Sequence, residues 1–133
     1  MSRQVVLGMG CDRGTALETL ENAVDQALAL INLERDAVTA LATIDKKNDE
    51  TALLALAEQQ AWPLHFFSAE QLARVTVPNP SAVVLKYMGT PAVAEAAALL
   101  AAATDMTDLL VEKHKHRGAD GKNATVSIVR LSK

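Results

Sequence analysis

Residues 8–15, GMGCDRGT, bring three glycines, the chain's single cysteine and an arginine together within one short loop. Glycines at 8, 10 and 14 let backbone N–H groups approach a ligand closely and form a nest for negative charge. Arg13 adds a planar, forked donor suited to carboxylate or phosphate. Thr15 opens a helical pattern, so the positive end of a helix points into the same loop. The chemistry on offer is anion binding by Gly8, Gly10, Arg13, Gly14 and Thr15. The glycines equally suit a tight strand-to-helix turn that holds no ligand. A helix start and Arg13 would favour the thiolate of Cys11, making it a candidate reactive group. No histidine follows in an obvious base position, however, and a small buried cysteine is the commoner role.

Further polar residues follow the next two strand-like runs. Thr43, Asp45, Lys46 and Lys47 come after the second, and Ser68 ends the third. In an open parallel sheet such strand ends line one edge, where ligands bind. Asp45, Lys46 and Ser68 are thus candidate ligand contacts. In EKHKHR, residues 112–117, an extended chain would put Lys113, Lys115 and Arg117 on one face and His114 and His116 on the other. The cationic face suits carboxylates, and equally suits a solvated hairpin arm. The His-x-His pair has no third ligand nearby in sequence, so no metal is expected and a solvated hairpin arm is the preferred reading of the histidines. His65 reads as a packed or edge residue. The glycine spacing resembles a dinucleotide fingerprint with one residue too many, and Asp45 lies 31 positions after Gly14 rather than about 20. No Gly-Lys-Ser/Thr follows, so this is not a phosphate-binding P-loop.

The positioning elements can be read from periodicity. Gln4–Met9 reads as a buried strand. Thr15 with Glu18 forms a capping-box pattern, and Leu17, Leu20, Val24, Ala27, Leu28 and Ile31 then repeat at helical spacing towards Asn32. Val38–Ile44 is a second strand, followed by a helix capped by Asn48 or Asp49 and running through Ala61. WPLHFFS is a third strand, and Ser68 with Gln71 is another capping box. VPNPS is a rigid turn, Ser81–Met88 a short helix stopped by Gly89, and Thr90-Pro91 the start of a longer one to about Thr104. Asp108–His114 and Asn123–Leu131 are strands joined by the RGADGK turn. The order β-α-β-α-β-α-α-β-β predicts an α/β fold: three layers, α/β/α, with a mostly parallel five-stranded sheet and a C-terminal antiparallel hairpin.

Totals narrow the function classes. A chain of 133 residues, half of them hydrophobic, argues for one domain with a substantial core. With a net charge of −3 and 3% aromatics, it lacks the basic surface and stacking platform that nucleic acid requires. One cysteine excludes an internal disulfide. Neither a signal peptide nor a run of 18 apolar residues is visible, which points to a soluble cytoplasmic protein without a membrane partner.

Five blocks in order, LGMGCDRGT, ALATIDKKNDE, PLHFFSAEQL, VPNPS and GTPAVAEAAALLAA, resemble the CobE family and the C-terminal domain of CbiG, from cobalamin (vitamin B12) biosynthesis. The resemblance runs from about residue 4 to residue 131. It departs at Asp12, where the family usually has a basic residue, and keeps Asp45 with two adjacent lysines; Gly89 and Thr90 match the family's Gly-Thr. The resemblance implies a corrin-ring precursor as ligand, a flat macrocycle edged with carboxylates, and no separate cofactor. It adds Gly89 and Thr90 to the ligand-binding candidates. It also implies, through the two-domain enzymes, a role related to opening a ring lactone of a precorrin-5-type intermediate. Those enzymes carry a further N-terminal domain, so the expectation here is a carrier or accessory protein, with other pathway enzymes as further partners. A nucleotide-binding module using the glycine loop is the alternative.

Overall fold

The computed structural model describes residues 4–11, 14–44, 51–73, 93–102 and 108–131. The strands are β1 (Val5–Cys11), β2 (Val38–Ile44), β3 (Leu64–Phe67), β4 (Leu109–Arg117) and β5 (Asn123–Arg130). The helices are α1 (Leu17–Ala29), α2 (Thr51–Gln60), α3 (Ala69–Ala73) and α4 (Val93–Ala102), with a short 3-10 turn at Arg35–Ala37.

One sheet runs in the order β3-β2-β1-β5-β4. The pairs β1–β2 and β2–β3 are parallel, whereas β5 is antiparallel to both β1 and β4. The expected α/β architecture holds, and the C-terminal hairpin adds its second strand directly beside β1. The proposed helix at 81–88 and the VPNPS turn lie outside the described residues.

Side-chain alternation explains the layers. Val5, Leu7 and Met9 of β1 face α1 and α2, in a cluster with Leu20, Val24, Leu28, Leu53, Leu56, Val126 and Ile128. On the opposite face, Ala42, Ile44 and Val129 pack against Leu72 of α3 and Ala96–Leu99 of α4. Thr39 is an extra residue on β2, since Val5 pairs with Val38 but Val6 with Ala40. Its hydroxyl donates to the Val5 carbonyl at 3.1 Å, closing the irregularity. Further along β2, the buried Thr43 hydroxyl donates to the Met9 carbonyl at 2.7 Å.

Helix ends follow local chemistry in one case and not in the other. Ser68 and Gln71 make the reciprocal capping box: Gln71 N–H donates to Ser68 Oγ at 3.1 Å, and Ser68 N–H to Gln71 Oε1 at 2.8 Å. The Thr15–Glu18 box does not form. The N-cap of α1 is Ala16, which has no side chain to cap with, and its capping partner comes from elsewhere in the fold. Beyond the C-terminus of α1, Asn32 takes a left-handed backbone (φ 58°), a conformation asparagine tolerates.

Candidate functional site

The strand directions define one rim. β1, β2 and β3 end there, β5 begins there, and β4, running parallel to β1, ends there. Cys11, Ile44, Ser68, Arg117 and Asn123 therefore belong to a common edge, the place where open α/β sheets bind ligands.

The glycines of the opening motif have different reasons to be glycine. A Cβ on Gly8 would run into the Ala94 carbonyl oxygen and stand 2.9 Å from the Ala98 Cβ. Gly8 thus lets α4 lie directly on the sheet. Gly14 has φ +78°, a backbone that side chains disfavour. Gly10 has neither constraint: no described atom lies within 4 Å of the Cβ position, and its φ is not left-handed.

The N-terminus of α1 does meet an anion, and it is one of the chain's own. Asp120, in the β4–β5 turn, accepts the Ala16 N–H at 2.9 Å and the Thr19 hydroxyl at 3.2 Å. It also accepts the Lys122 N–H at 3.0 Å. These bonds hold the Asp120 carboxyl below its ordinary range, chiefly through the Ala16 and Lys122 amides, with Thr19 adding less. Gly118 makes the approach possible, because a Cβ there would overlap the Thr19 side chain. The hairpin is thereby latched to the start of α1 across 104 positions of sequence.

The remaining candidates divide between the two faces of the sheet. Cys11 is half-buried, on the α1 face, against the apolar cluster there. Thr15 is buried beside it in sequence order, just before the helix. Ser68 is half-buried and serves as the cap of α3. Lys115 is exposed and pairs with Thr125, which in turn pairs with Gly10. These three share the α4 face, opposite Cys11. Of Lys113, only the backbone position in β4 is described. Arg13, Asp45, Lys46, Gly89 and Thr90 lie outside the described residues.

The histidines differ from the solvated arm expected of them. His114 and His116 are half-buried, and His114 Nε2 is 2.8 Å from Gln26 Oε1 of α1. The cause is the position of α1, which packs over the β4–β5 hairpin. His65 is exposed on the edge strand β3. Among the described residues, no three His, Cys, Asp or Glu side chains gather as a metal site would require.

Sequence reasoning passed over three residues. Asp120 reads locally only as part of a turn; an acid one residue before a glycine gives no sign of a distant helix. Thr125 was one polar residue in an alternating strand. Glu95 is 1% exposed in the first turn of α4. It is the lone acid of an alanine-leucine run, and that contrast was the available signal. A hollow of about 460 Å³ lies at the opposite rim, lined by Asp25, Leu28, Leu33, Glu34, Arg35 and Asp36. Arg35 there is already held by both oxygens of Asp25 at 2.7 and 2.8 Å, which raises its pKa. With three acids around one matched cation, that hollow is ill suited to a polycarboxylate.

Fold and rim together define an α/β protein whose candidate binding edge is the C-terminal end of its parallel strands. The chain belongs to the cobalamin synthesis G C-terminus family, which matches residues 5–129. It is 33% identical over 127 residues to the cobalt-precorrin-5A hydrolase of Priestia megaterium, covering 96% of this chain and 32% of that protein. It is 35% identical over 111 residues to Protein CobE of a Sinorhizobium species, covering 82% of this chain and 71% of that one. A crystal structure of CobE, described as a protein from the cobalamin biosynthetic pathway, superposes with a TM-score of 0.79 at 34% identity, covering 98% of this chain and 92% of that one. The chain thus spans about a third of the hydrolase it matches. Among the described residues, no helix is long and apolar enough to cross a membrane.

Proposed function

We propose that this member of a cobalamin-biosynthesis family binds a corrin-ring precursor at the C-terminal rim of its sheet, as a carrier or accessory protein. The observation that carries the reading is the family match over residues 5–129 together with the exposed Lys115 at that rim. A macrocycle edged with carboxylates needs cationic and N–H donors around a flat contact surface, and Lys115, Arg13 and Lys46 are the cations nominated. Hydrolysis is the named activity of the relative of which this chain spans 32%. For this chain, lactone opening is the secondary part of the proposal, with Cys11 and Asp45 as its candidate groups. The Asp120 carboxylate at the Ala16 amide weighs against a nucleotide phosphate at the start of α1. Cytoplasmic operation alongside other enzymes of the pathway belongs to the same proposal.

The test is to incubate the protein with corrin polycarboxylates and separate it by gel filtration. Pigment should travel with the protein, unaltered if it is a carrier and spectrally changed if it reacts. Arg13→Ala should weaken binding about tenfold or more, the value of a lost charged hydrogen bond. Elution of every pigment apart from the protein would refute the proposal.

A further inference from the structure

We infer that the flat face of the ligand rests on the α4 side of the sheet, on a shelf floored by Gly10 and Thr125 and edged by Lys115. This rests on the corrin reading above and specifies how the ring is held.

Three observations meet there. Gly10, Thr125 and Lys115 lie side by side on β1, β5 and β4, in one cross-strand row. At about 4.8 Å between strands, the row spans roughly 10 Å. All three point to the α4 face, since Met9, Cys11, Ala124 and Val126 on alternate positions face α1. Next, α4 covers Gly8 but not Gly10. The Ala94 carbonyl lies against Gly8, while no described atom occupies the space above Gly10. Among the described residues, nothing covers the sheet at Gly10, near the end of β1. Finally, the described residues give Gly10 no structural need to be glycine, unlike Gly8, Gly14, Gly118 and Gly121, which are set by a close neighbour or a left-handed backbone. Glycine inside a strand is otherwise unfavourable, and besides bulges and tight bends it often marks a close approach of a ligand or another backbone.

The chemistry follows from that row. A bare peptide surface accepts a planar, largely apolar ring face, which any side chain at position 10 would lift away. Thr125, half-buried, offers a hydroxyl at the floor's centre. Lys115, exposed at the edge strand, offers a flexible point charge to a carboxylate arm. Cys11 stands on the other face and does not touch a ring seated here, so of the two groups named above for lactone opening this seating retains only Asp45.

The decisive variants are Gly10→Val and Lys115→Gln, with Lys122→Gln in the exposed turn as control. Affinity for a purified corrin polycarboxylate is read from its visible spectrum at low and high salt, and folding from thermal melts. Gly10→Val should lose about tenfold or more in affinity by overfilling the shelf, with its melting temperature maintained. Lys115→Gln should lose affinity mainly at low salt, flattening the salt dependence, and Lys122→Gln should bind like the parent. If Gly10→Val melts early, Gly10→Ala and Lys115→Gln decide. Parent-like affinity in the folded Gly10 variant and in Lys115→Gln overturns the shelf while leaving corrin binding intact. A parent protein that binds no corrin polycarboxylate overturns both.

Discussion

Replacing Gly8 by alanine should damage this protein far more than the same change two residues later. Both glycines sit in β1 on the α4 face. At Gly8 the added Cβ would overlap the Ala94 carbonyl oxygen and lie 2.8 Å from its carbon and 2.9 Å from the Ala98 Cβ. Carbon contacts relax near 3.5 Å or beyond, so the backbone of α4 must retreat by roughly 1 Å. A backbone carbonyl within a helix cannot rotate aside as a flexible side chain could. The retreat would loosen Ala96, Ala97 and Leu99, which are buried in the same layer. Overpacking of this kind costs about 1–3 kcal/mol, and backbone displacement places Gly8→Ala near the upper end. The intrinsic gain of alanine over glycine in a strand, about 0.5–1 kcal/mol, offsets part of it. A net loss of about 2 kcal/mol corresponds to a melting temperature lower by roughly 6–12 °C for a chain of this size. Gly10→Ala has no overlap and should be neutral or gain up to about 1 kcal/mol. Circular-dichroism melts of the two variants and the parent measure the contrast. Equal melting temperatures for Gly8→Ala and Gly10→Ala would refute the close seating of α4 on β1.

Three other outcomes are expected. Asp120→Ala should lower the melting temperature at neutral pH, because the α1 amide and the hairpin lose a shared acceptor. The native carboxyl is held below its ordinary value of about 3.9, so its stabilisation is complete above that value and fades as pH falls through the depressed native one. The gap between parent and variant melts should therefore close in strong acid; a pH-independent gap would rule out the latch. Thr43→Val removes the buried hydroxyl that donates to Met9 and should cost about 1–2 kcal/mol in urea unfolding, whereas an unchanged midpoint would argue against that bond. Ser68→Ala removes the cap of α3 and should cost about 1 kcal/mol, measured in the same way, with no loss counting against the capping box.

What could be read from the chain alone was local. Val38–Ile44 needs only an apolar run between breakers, and the strand occupies those bounds. The Ser68–Gln71 box forms because both partners lie within one helical turn. Alternating strands and helices imply a mainly parallel sheet, because each crossover returns the chain in the same direction. Spacing also implied that Lys115 and Arg117 share a face, and the pairing of β4 with β5 places them so. Position in the sheet was not legible. Nothing local says that β5 inserts between β1 and β4, and that order brings Thr125 beside Gly10 and Asp120 to the start of α1. Thr15 and Glu18 made a sound capping signal, but the helix starts one residue later, with Ala16 as its N-cap, and an aspartate 104 positions away takes the Ala16 amide. Likewise, Gly8 and Gly10 are the same residue in the same strand, and among the described residues only the seating of α4 separates them, since it packs on Gly8 and does not reach Gly10. Hydrogen-bonding and periodic preferences act over a few residues and are written in the sequence; which distant surfaces meet depends on how the whole sheet is ordered, and the tertiary structure alone decides it.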